Sequence, residues 1–208
     1  MIKRITIVFA ALAAMFISTP VTADDFVDIE TSLVSRYVWR GSAGSDAVSI
    51  QPSLTLPIDT NVGATNINIW GNVPWSGANT EYNFSITQDI NEYGSIGITS
   101  YYYDGAFLEG DSHDFEVGIS TSIQGISLFA GRFLSGDDVK DDTYVELGYE
   151  IDGIDLHIGA GDGSYVADGD GFALVNLGLS ASNDDGYGAS LIYNPDSEAV
   201  FLVVSKVW

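Results

Sequence analysis

Apolar and polar residues alternate along most of this chain. In residues 27–40, the odd-numbered side chains from Val27 to Trp39 are mainly apolar, and the even-numbered side chains from Asp28 to Arg40 carry most of the charge. Successive side chains of a β-strand point to opposite faces of a sheet, so this period of two predicts strands with one apolar face. The twelve runs with this pattern are about 26–40, 46–58, 62–73, 80–90, 94–103, 113–123, 126–134, 142–152, 154–161, 172–181, 187–193 and 198–208.

The connections between these runs alternate in length. Five of them are short and contain the Asn, Asp and Gly that tight hairpin turns require. The short connections are 59–61, 91–93, 124–125, 152–153 and 183–186, and the others, mostly longer, lie near 41–45, 74–79, 104–112, 135–141, 162–171 and 194–197. Short turns on one side and long loops on the other are typical of outer-membrane barrels, in which an even number of strands brings both chain ends to the short-turn side.

The pattern predicts an all-β fold, an up-and-down antiparallel transmembrane β-barrel of about 12 strands, with 8, 10 or 14 as alternatives. A soluble exported β-sandwich that binds a ligand stays as a further alternative, because its strands also have one apolar face. The barrel is favoured by the small polar residues on the polar faces of the strands and by Tyr and Trp near strand ends. The run 126–134 has apolar residues on both faces, so its orientation stays open.

The first 23 residues have a different pattern. Two basic residues precede an apolar run from Ile5 to Ile17, and a small-residue segment ending at Ala23 follows. This order predicts a secretory signal peptide, since the run is shorter than the roughly 20 apolar residues of a transmembrane helix. We therefore expect residues 1–23 to be removed and residues 24–208 to form one barrel domain in the outer membrane of a Gram-negative bacterium.

Charge narrows the range of partners. The chain has 29 acidic and 7 basic residues and a net charge of −22. Such a field repels nucleic acid and attracts cations, so we expect no nucleic-acid partner. The chain contains no cysteine, which excludes both disulfides and a lipid-anchored cysteine.

If the apolar faces meet lipid, the charged faces line an enclosed lumen. The lumen-facing candidates are Asp28, Glu30, Arg36, Arg40, Trp70, Glu81, Asp89, Asp114, Glu116, Glu146, Glu150, Asp155 and His157. We expect Arg36 to pair with a carboxylate of this set, because a charge enclosed in a narrow barrel needs a partner. The acidic surplus predicts passive passage of small polar or cationic solutes. A closed barrel is the alternative, since about 12 strands lie between the filled and the open sizes.

The long connections are rich in aspartate. Asp162, Asp168 and Asp170 are weak calcium candidates, because carboxylates beside glycine turns suit an oxygen-seeking ion. The full spacing of a calcium loop and its closing Glu are absent. We therefore expect no cofactor beyond loosely bound divalent cations. In the closed-barrel alternative, these acidic loops bind ions or lipopolysaccharide.

The sequence offers little for catalysis. His113 and His157 are its only histidines. It contains no Gly-x-Ser-x-Gly nucleophile elbow, phosphate-binding loop or dinucleotide fingerprint. We expect a protein that is not an enzyme.

The segment 199–208 is strand-like and ends in the aromatic Trp208. Terminal aromatic strands resemble the signal that the bacterial barrel-assembly machinery reads, although Lys206 stands where an apolar residue is usual. The expected partners are this machinery and outer-membrane lipid, including lipopolysaccharide. The oligomeric state stays open.

Three short motifs in the first part of the chain are similar to those of a known family. They are Leu33-Val-Ser-Arg-Tyr-Val-Trp-Arg-Gly41, Gln51-Pro52 and Trp70-Gly-Asn-Val73. They resemble the TorF-like porin family of Gram-negative outer-membrane proteins, whose pattern has an acidic residue where Arg36 stands here. The resemblance implies an outer-membrane barrel. It implies no particular substrate and no catalytic residues.

Overall fold

The computed structural model describes residues 27–103, 113–136, 138–169 and 171–208. The predicted signal peptide and the connection near 104–112 lie outside these ranges. Within them the fold is all-β, with two short 3-10 turns at Asn91–Tyr93 and Gly163–Tyr165. No helix in the described ranges has the length and apolar composition needed to cross a bilayer.

Fourteen strands follow one another along the described chain. They are β1 (Asp28–Val34), β2 (Tyr37–Trp39), β3 (Ser42–Ser45), β4 (Ser49–Thr60), β5 (Gly63–Pro74), β6 (Glu81–Asp89), β7 (Ser95–Tyr103), β8 (His113–Ile123), β9 (Ile126–Ser135), β10 (Thr143–Ile151), β11 (Ile154–Asp162), β12 (Phe172–Ser182), β13 (Tyr187–Asn194) and β14 (Ala199–Val207). Strands β1 and β4–β14 form a closed antiparallel barrel of 12 strands, and β2 and β3 form a separate hairpin. The single closed sheet confirms the predicted up-and-down barrel and is incompatible with a two-sheet sandwich.

The barrel closes where β1 meets β14. Their register has three pairs, from Ser32 with Val207 to Val34 with Ser205. Hydrogen bonds between the backbones of Thr31 and Trp208 extend this contact by one position. The closure brings the described start and end of the barrel together at the short-turn side, as the even strand count predicts.

The register decides which side chains point outward, because residues opposite each other in neighbouring strands share a face. Leu54, Ile69 and Phe84 lie side by side across β4, β5 and β6, and Ile69 and Phe84 are exposed. Trp70 and Asn83, one position further along, share the opposite, inner face. The apolar face of each strand therefore lies on the outside of the barrel.

An uncharged apolar belt surrounds the barrel. Its exposed members include Ile50, Ile69, Ile86, Ile98, Ile119, Leu128, Leu147, Leu156, Leu179, Leu191 and Leu202. A residue has outward parity when its place in the alternation puts its side chain on the outer face, and inward parity when it puts the side chain inside. Among the charged residues of the described barrel strands, those with outward parity are Arg132, Asp162 and Lys206, all near strand ends. The register also settles the orientation of β9: Ile126 and Leu128 are exposed on the outside, whereas Phe133 is buried inside.

Exposed aromatic side chains mark both ends of the belt. At the short-turn end they are Tyr93, Tyr149, Tyr187 and Trp208, and at the long-loop end they are Trp75, Tyr82, Phe115, Phe172 and Tyr193. Lys206 lies between two of these aromatics, with its Nζ 5.1 Å from the ring centroids of Tyr187 and Trp208. Its Nζ also donates to the backbone oxygen of Asp185. The lysine therefore directs its charge to the strand end and away from the belt.

The predicted strand 26–40 is wrong beyond Val34, where β1 ends. The chain bends at Ser35 and Arg36 and then forms β2 and β3. Because β2 is itself extended, the alternation of side chains continues past the bend and does not reveal the break. Arg40 and Gly41 have positive φ angles of 50° and 82° and turn the chain from β2 into β3.

Candidate functional site

The segment 35–48, here called the inner hairpin, connects β1 to β4 and folds into the barrel from the long-loop end. The Tyr37 ring lies 5.4 Å from that of Trp70 on β5. On the opposite wall, Asn194 of β13 donates from Nδ2 to the backbone oxygen of Gly41 at 3.2 Å. The inner hairpin therefore spans the interior and contacts distant parts of the wall.

Gly41 allows the closest of these approaches. A Cβ added at this residue would lie 1.9 Å from the backbone oxygen of Val175 on β12, and its φ of +82° favours glycine. Val175 is fully buried beneath this contact. A side chain at position 41 would therefore push the inner hairpin away from the wall.

The centre of the site is an ion pair between the inner hairpin and the wall. Arg40 donates from Nη1 and Nη2 to the two carboxylate oxygens of Glu116 on β8, at 2.6 and 2.9 Å. The side chains are only 10% and 4% exposed. Tyr101 of β7 donates its hydroxyl to the same carboxylate at 2.7 Å. This two-point geometry is the strongest that a guanidinium forms with a carboxylate.

Aromatic rings enclose the same guanidinium. The Cζ of Arg40 lies 4.4 Å from the ring centroid of Trp39, 4.6 Å from Tyr144, 4.9 Å from Phe129 and 5.7 Å from Tyr165. All four distances are within the range of cation–π attraction. The Arg40 Nη1 also donates to the hydroxyl oxygen of Tyr165. We call the set Trp39, Tyr101, Glu116, Phe129, Tyr144 and Tyr165 the guanidinium cage.

The cage keeps Arg40 charged. Burial by itself lowers the pKa of the Arg40 guanidinium, but the hydrogen bonds and negative charge of Glu116 more than offset burial and raise that pKa above its ordinary value. The ion pair therefore does not depend on pH through loss of a proton from Arg40.

A dense apolar cluster supports the cage at the long-loop end. It consists of Tyr101, Phe133, Tyr144, Tyr165 and Val175, with Trp39 and Phe129 packed against it. Phe133 and Tyr144 are 2% and 1% exposed. The inner hairpin and this cluster together obstruct the long-loop end of the interior.

A polar network adjoins the cage on β10, β11 and β12. Asn176 donates from Nδ2 to the Tyr144 hydroxyl at 3.0 Å and to the Glu146 carboxylate at 3.1 Å. The Asn176 Oδ1 lies 3.3 Å from the Nε2 of His157. A cavity of about 370 Å³ lies against this network and Arg40. A second, of about 200 Å³, lies between Arg40, Glu116 and the small residues of β7 and β8.

The interior is more acidic toward the short turns. Six carboxylates have inward parity near this end: Asp28, Glu30, Asp59, Asp89, Glu150 and Asp155. The other inward side chains there are mostly Ser, Thr, Asn and Gly, and none in the described strands is basic. We call this region, with its acidic rim, the vestibule.

The structure places the predicted lumen residues in different parts of the interior. Arg40, Glu116, Glu146 and His157 lie in or beside the guanidinium cage. Trp70 and Glu81 face the Tyr37 side of the inner hairpin, and Asp114 has inward parity opposite Tyr101 near the long-loop end. The other predicted carboxylates, Asp28, Glu30, Asp89, Glu150 and Asp155, belong to the vestibule.

Arg36 differs from its prediction. It forms its ion pair with Asp46, inside the inner hairpin, and not with a carboxylate of the predicted lumen set. Its guanidinium also lies 5.2 Å from the ring centroid of Phe201 on β14. The bend after Val34 turns Arg36 toward the other arm of its own hairpin.

The aromatic residues of the cage were missing from the predicted site. Phe129 and Tyr144 have the same parity as the polar, inward-facing residues of their strands. In the sequence they therefore stand out as aromatic residues on a polar face. Tyr165 lies in a connection, and no sequence pattern marks it as a wall residue.

The calcium candidates do not come together in the described residues. Asp162 accepts the backbone N–H of Thr143 at 2.6 Å, and Asp168 is exposed. Asp170 lies outside the described ranges. Within those ranges no three acidic, histidine or cysteine side chains are grouped as a metal site, and the calcium hypothesis stays a prediction.

Comparison with known proteins adds no family. No protein-family model matches this chain, and no curated protein is significantly similar to it. The resemblance to TorF-like porins therefore depends on its short motifs. The first of them, Leu33–Gly41, includes Trp39 and Arg40 of the site described above.

Proposed function

We propose that this protein is an outer-membrane β-barrel through which small cationic solutes pass, with the vestibule as the cation-attracting mouth and the inner hairpin as the restriction. One observation carries the proposal: an uncharged apolar belt surrounds a closed barrel whose interior is polar and mainly acidic. Such a belt is far larger than the apolar patches that water-soluble proteins expose.

The closed sheet suits a bilayer for a second reason. Hydrocarbon offers no hydrogen-bond partners, so backbone groups must pair internally, and a closed barrel pairs them all. The barrel strands have 7 to 12 residues, and roughly 9–11 residues suffice for a tilted strand to cross. The two aromatic rims fit the two lipid–water interfaces.

Preference for cations follows from the charges. An acidic mouth concentrates cations and repels anions, and low-dielectric walls strengthen this effect. The single cation deep in the interior, among the described residues, is Arg40, which Glu116 neutralises. Solutes that enter the vestibule therefore meet a negative field up to the inner hairpin.

The membrane location is tested by placing a charge in the belt. Leu147 lies at the middle of β10, with its side chain on the outside. We expect Leu147→Arg to lower the free energy of unfolding in lipid vesicles by about 2–4 kcal/mol, because its charge enters hydrocarbon. Urea unfolding followed by tryptophan fluorescence measures this, with Leu147→Ala as the control for lost packing. Equal stabilities of the two variants, or a mature chain that stays dissolved without detergent, would contradict the location.

The passage of cations is tested in planar bilayers. We expect the wild-type reversal potential in a salt gradient to show preference for cations. The double variant Glu150→Gln/Asp155→Asn should reduce that preference, because the two residues face each other on the vestibule wall. Asp138→Asn, in an exposed connection at the opposite end, is the matched control. Anion preference in the wild type would refute the proposal.

A closed structural barrel is the second candidate, and the packing of the inner hairpin favours it. Val175 and Tyr144 have 0% and 1% exposure beneath the hairpin, which is the packing of a solid core. This candidate predicts the same response to Leu147→Arg but no conductance in the wild type.

A further inference from the structure

The guanidinium of Arg40 is held in the way a protein holds a bound ligand. Glu116 binds it at two points, Tyr165 accepts a further hydrogen bond, and four rings surround it. We infer that the guanidinium cage is a binding site for guanidinium-bearing cations, which the chain's own Arg40 occupies.

The site belongs mostly to the barrel and not to the inner hairpin. Of the six cage residues, only Trp39 lies on the hairpin, while the others come from β7, β8, β9, β10 and the 3-10 turn before β12. Tyr101 holds the Glu116 carboxylate at 2.7 Å, and Asn176 holds the Tyr144 hydroxyl at 3.0 Å. Removal of the Arg40 side chain therefore leaves a formed site with a buried carboxylate at its centre.

The chemistry of the cage selects one class of cation. A guanidinium is planar, binds a carboxylate at two points and stacks on aromatic faces, whereas an ammonium is a compact and strongly hydrated charge. The cage supplies both features, the two-point carboxylate and the ring faces. It should therefore prefer guanidinium compounds to alkylammonium or alkali-metal cations of equal charge.

Two cavities give a ligand room to approach. They measure about 370 and 200 Å³, and both have Arg40 in their lining. The smaller one extends along Thr87, Ser95 and Gly97 toward the short-turn end. The route of solutes from the vestibule to the cage rests on the proposed function. The preference of the cage for guanidinium does not.

Chemical rescue of Arg40→Ala tests the inference. Methylguanidinium at millimolar concentration, below any denaturing range, is expected to bind the folded variant in detergent and to raise its midpoint of thermal unfolding by several degrees, since a ligand of the folded state stabilises it. Methylammonium at the same concentration should have little effect. Wild-type protein, whose cage is full, should respond to neither compound.

Two further variants complete the design. Arg40→Ala/Glu116→Gln removes the central carboxylate and should lose the response, and Arg132→Ala, which opens an exposed ion pair, should show none. If Arg40→Ala does not fold, the two ligands are compared for the refolding yield of Arg40→Gln. Equal effects of the two compounds, no binding in calorimetry, or rescue that survives Glu116→Gln would overturn the inference. These measurements do not depend on conductance. They can therefore support the guanidinium site even if the bilayer recordings contradict the proposed transport.

Discussion

Replacing Glu116 with Gln is expected to destabilise the barrel by about 3–5 kcal/mol, because it removes the carboxylate that pairs with the buried guanidinium of Arg40. Among the described residues, Glu116 is the one acidic group in an ion pair with Arg40, whose side chain is 10% exposed. The Arg40 guanidinium stays charged without this partner, because arginine side chains do not lose their proton in proteins. Urea unfolding in detergent, followed by fluorescence and by heat-dependent gel mobility, measures the loss.

The control for this variant is Glu150→Gln, a carboxylate of the vestibule that is exposed. Its stability should change by no more than about 0.5 kcal/mol, as for other surface substitutions. A double-mutant cycle with Arg40→Ala adds a second check. The double variant should lose less than the sum of the two single losses, because residues in direct contact are coupled. Equal stability of Glu116→Gln and Glu150→Gln would contradict the central position of the ion pair.

The fold could be predicted because its signal is local and repeated in every strand. Leu128, Leu147 and Ile158 each alternate with polar neighbours in their own strand, and the register places them side by side on one outer face. The outer face of every barrel strand belongs to the same apolar belt. The alternation within each strand therefore predicts that face without knowledge of distant contacts. The seventh run was ambiguous because two of its aromatic side chains point inward, Phe129 as part of the cage and Phe133 as part of the cluster that supports it.

The site could be predicted only in part. Parity alone gave Arg40 and Glu116 as inward candidates. Their pairing joins residues 76 positions apart, and it depends on the bend that ends β1 at Val34. That bend is invisible to the alternation, because both sides of it are extended. The sequence therefore predicted an acidic interior, but not that a hairpin brings Arg40 against the Glu116 carboxylate of the barrel wall.

Removal of the inner hairpin is expected to produce the largest change in conductance of any variant considered. Val34 and Ser49 are direct partners in the β1–β4 register, so replacing residues 36–47 by Asn-Gly leaves a short turn between two strands that already pair. The barrel sheet stays closed, because β2 and β3 take no part in it. With Trp39 and Arg40 gone, water fills the space beside Glu116 and joins the vestibule to the long-loop end. Single-channel conductance should rise severalfold above that of the wild type.

A deletion of residues 76–79 from the exposed β5–β6 connection is the matched control and should leave conductance unchanged. If the excised barrel and the wild type conduct equally, the inner hairpin is not the restriction, and the obstruction must lie in the wall residues of the cage. If the wild type is silent and the excised barrel conducts, the hairpin closes the native barrel, and the closed structural barrel is the better description of its function. A barrel that conducts in both forms, with the larger current after excision, supports restricted passage. The same recordings, repeated with methylguanidinium and methylammonium as the only cations, then reveal whether the emptied cage still slows guanidinium ions as they pass.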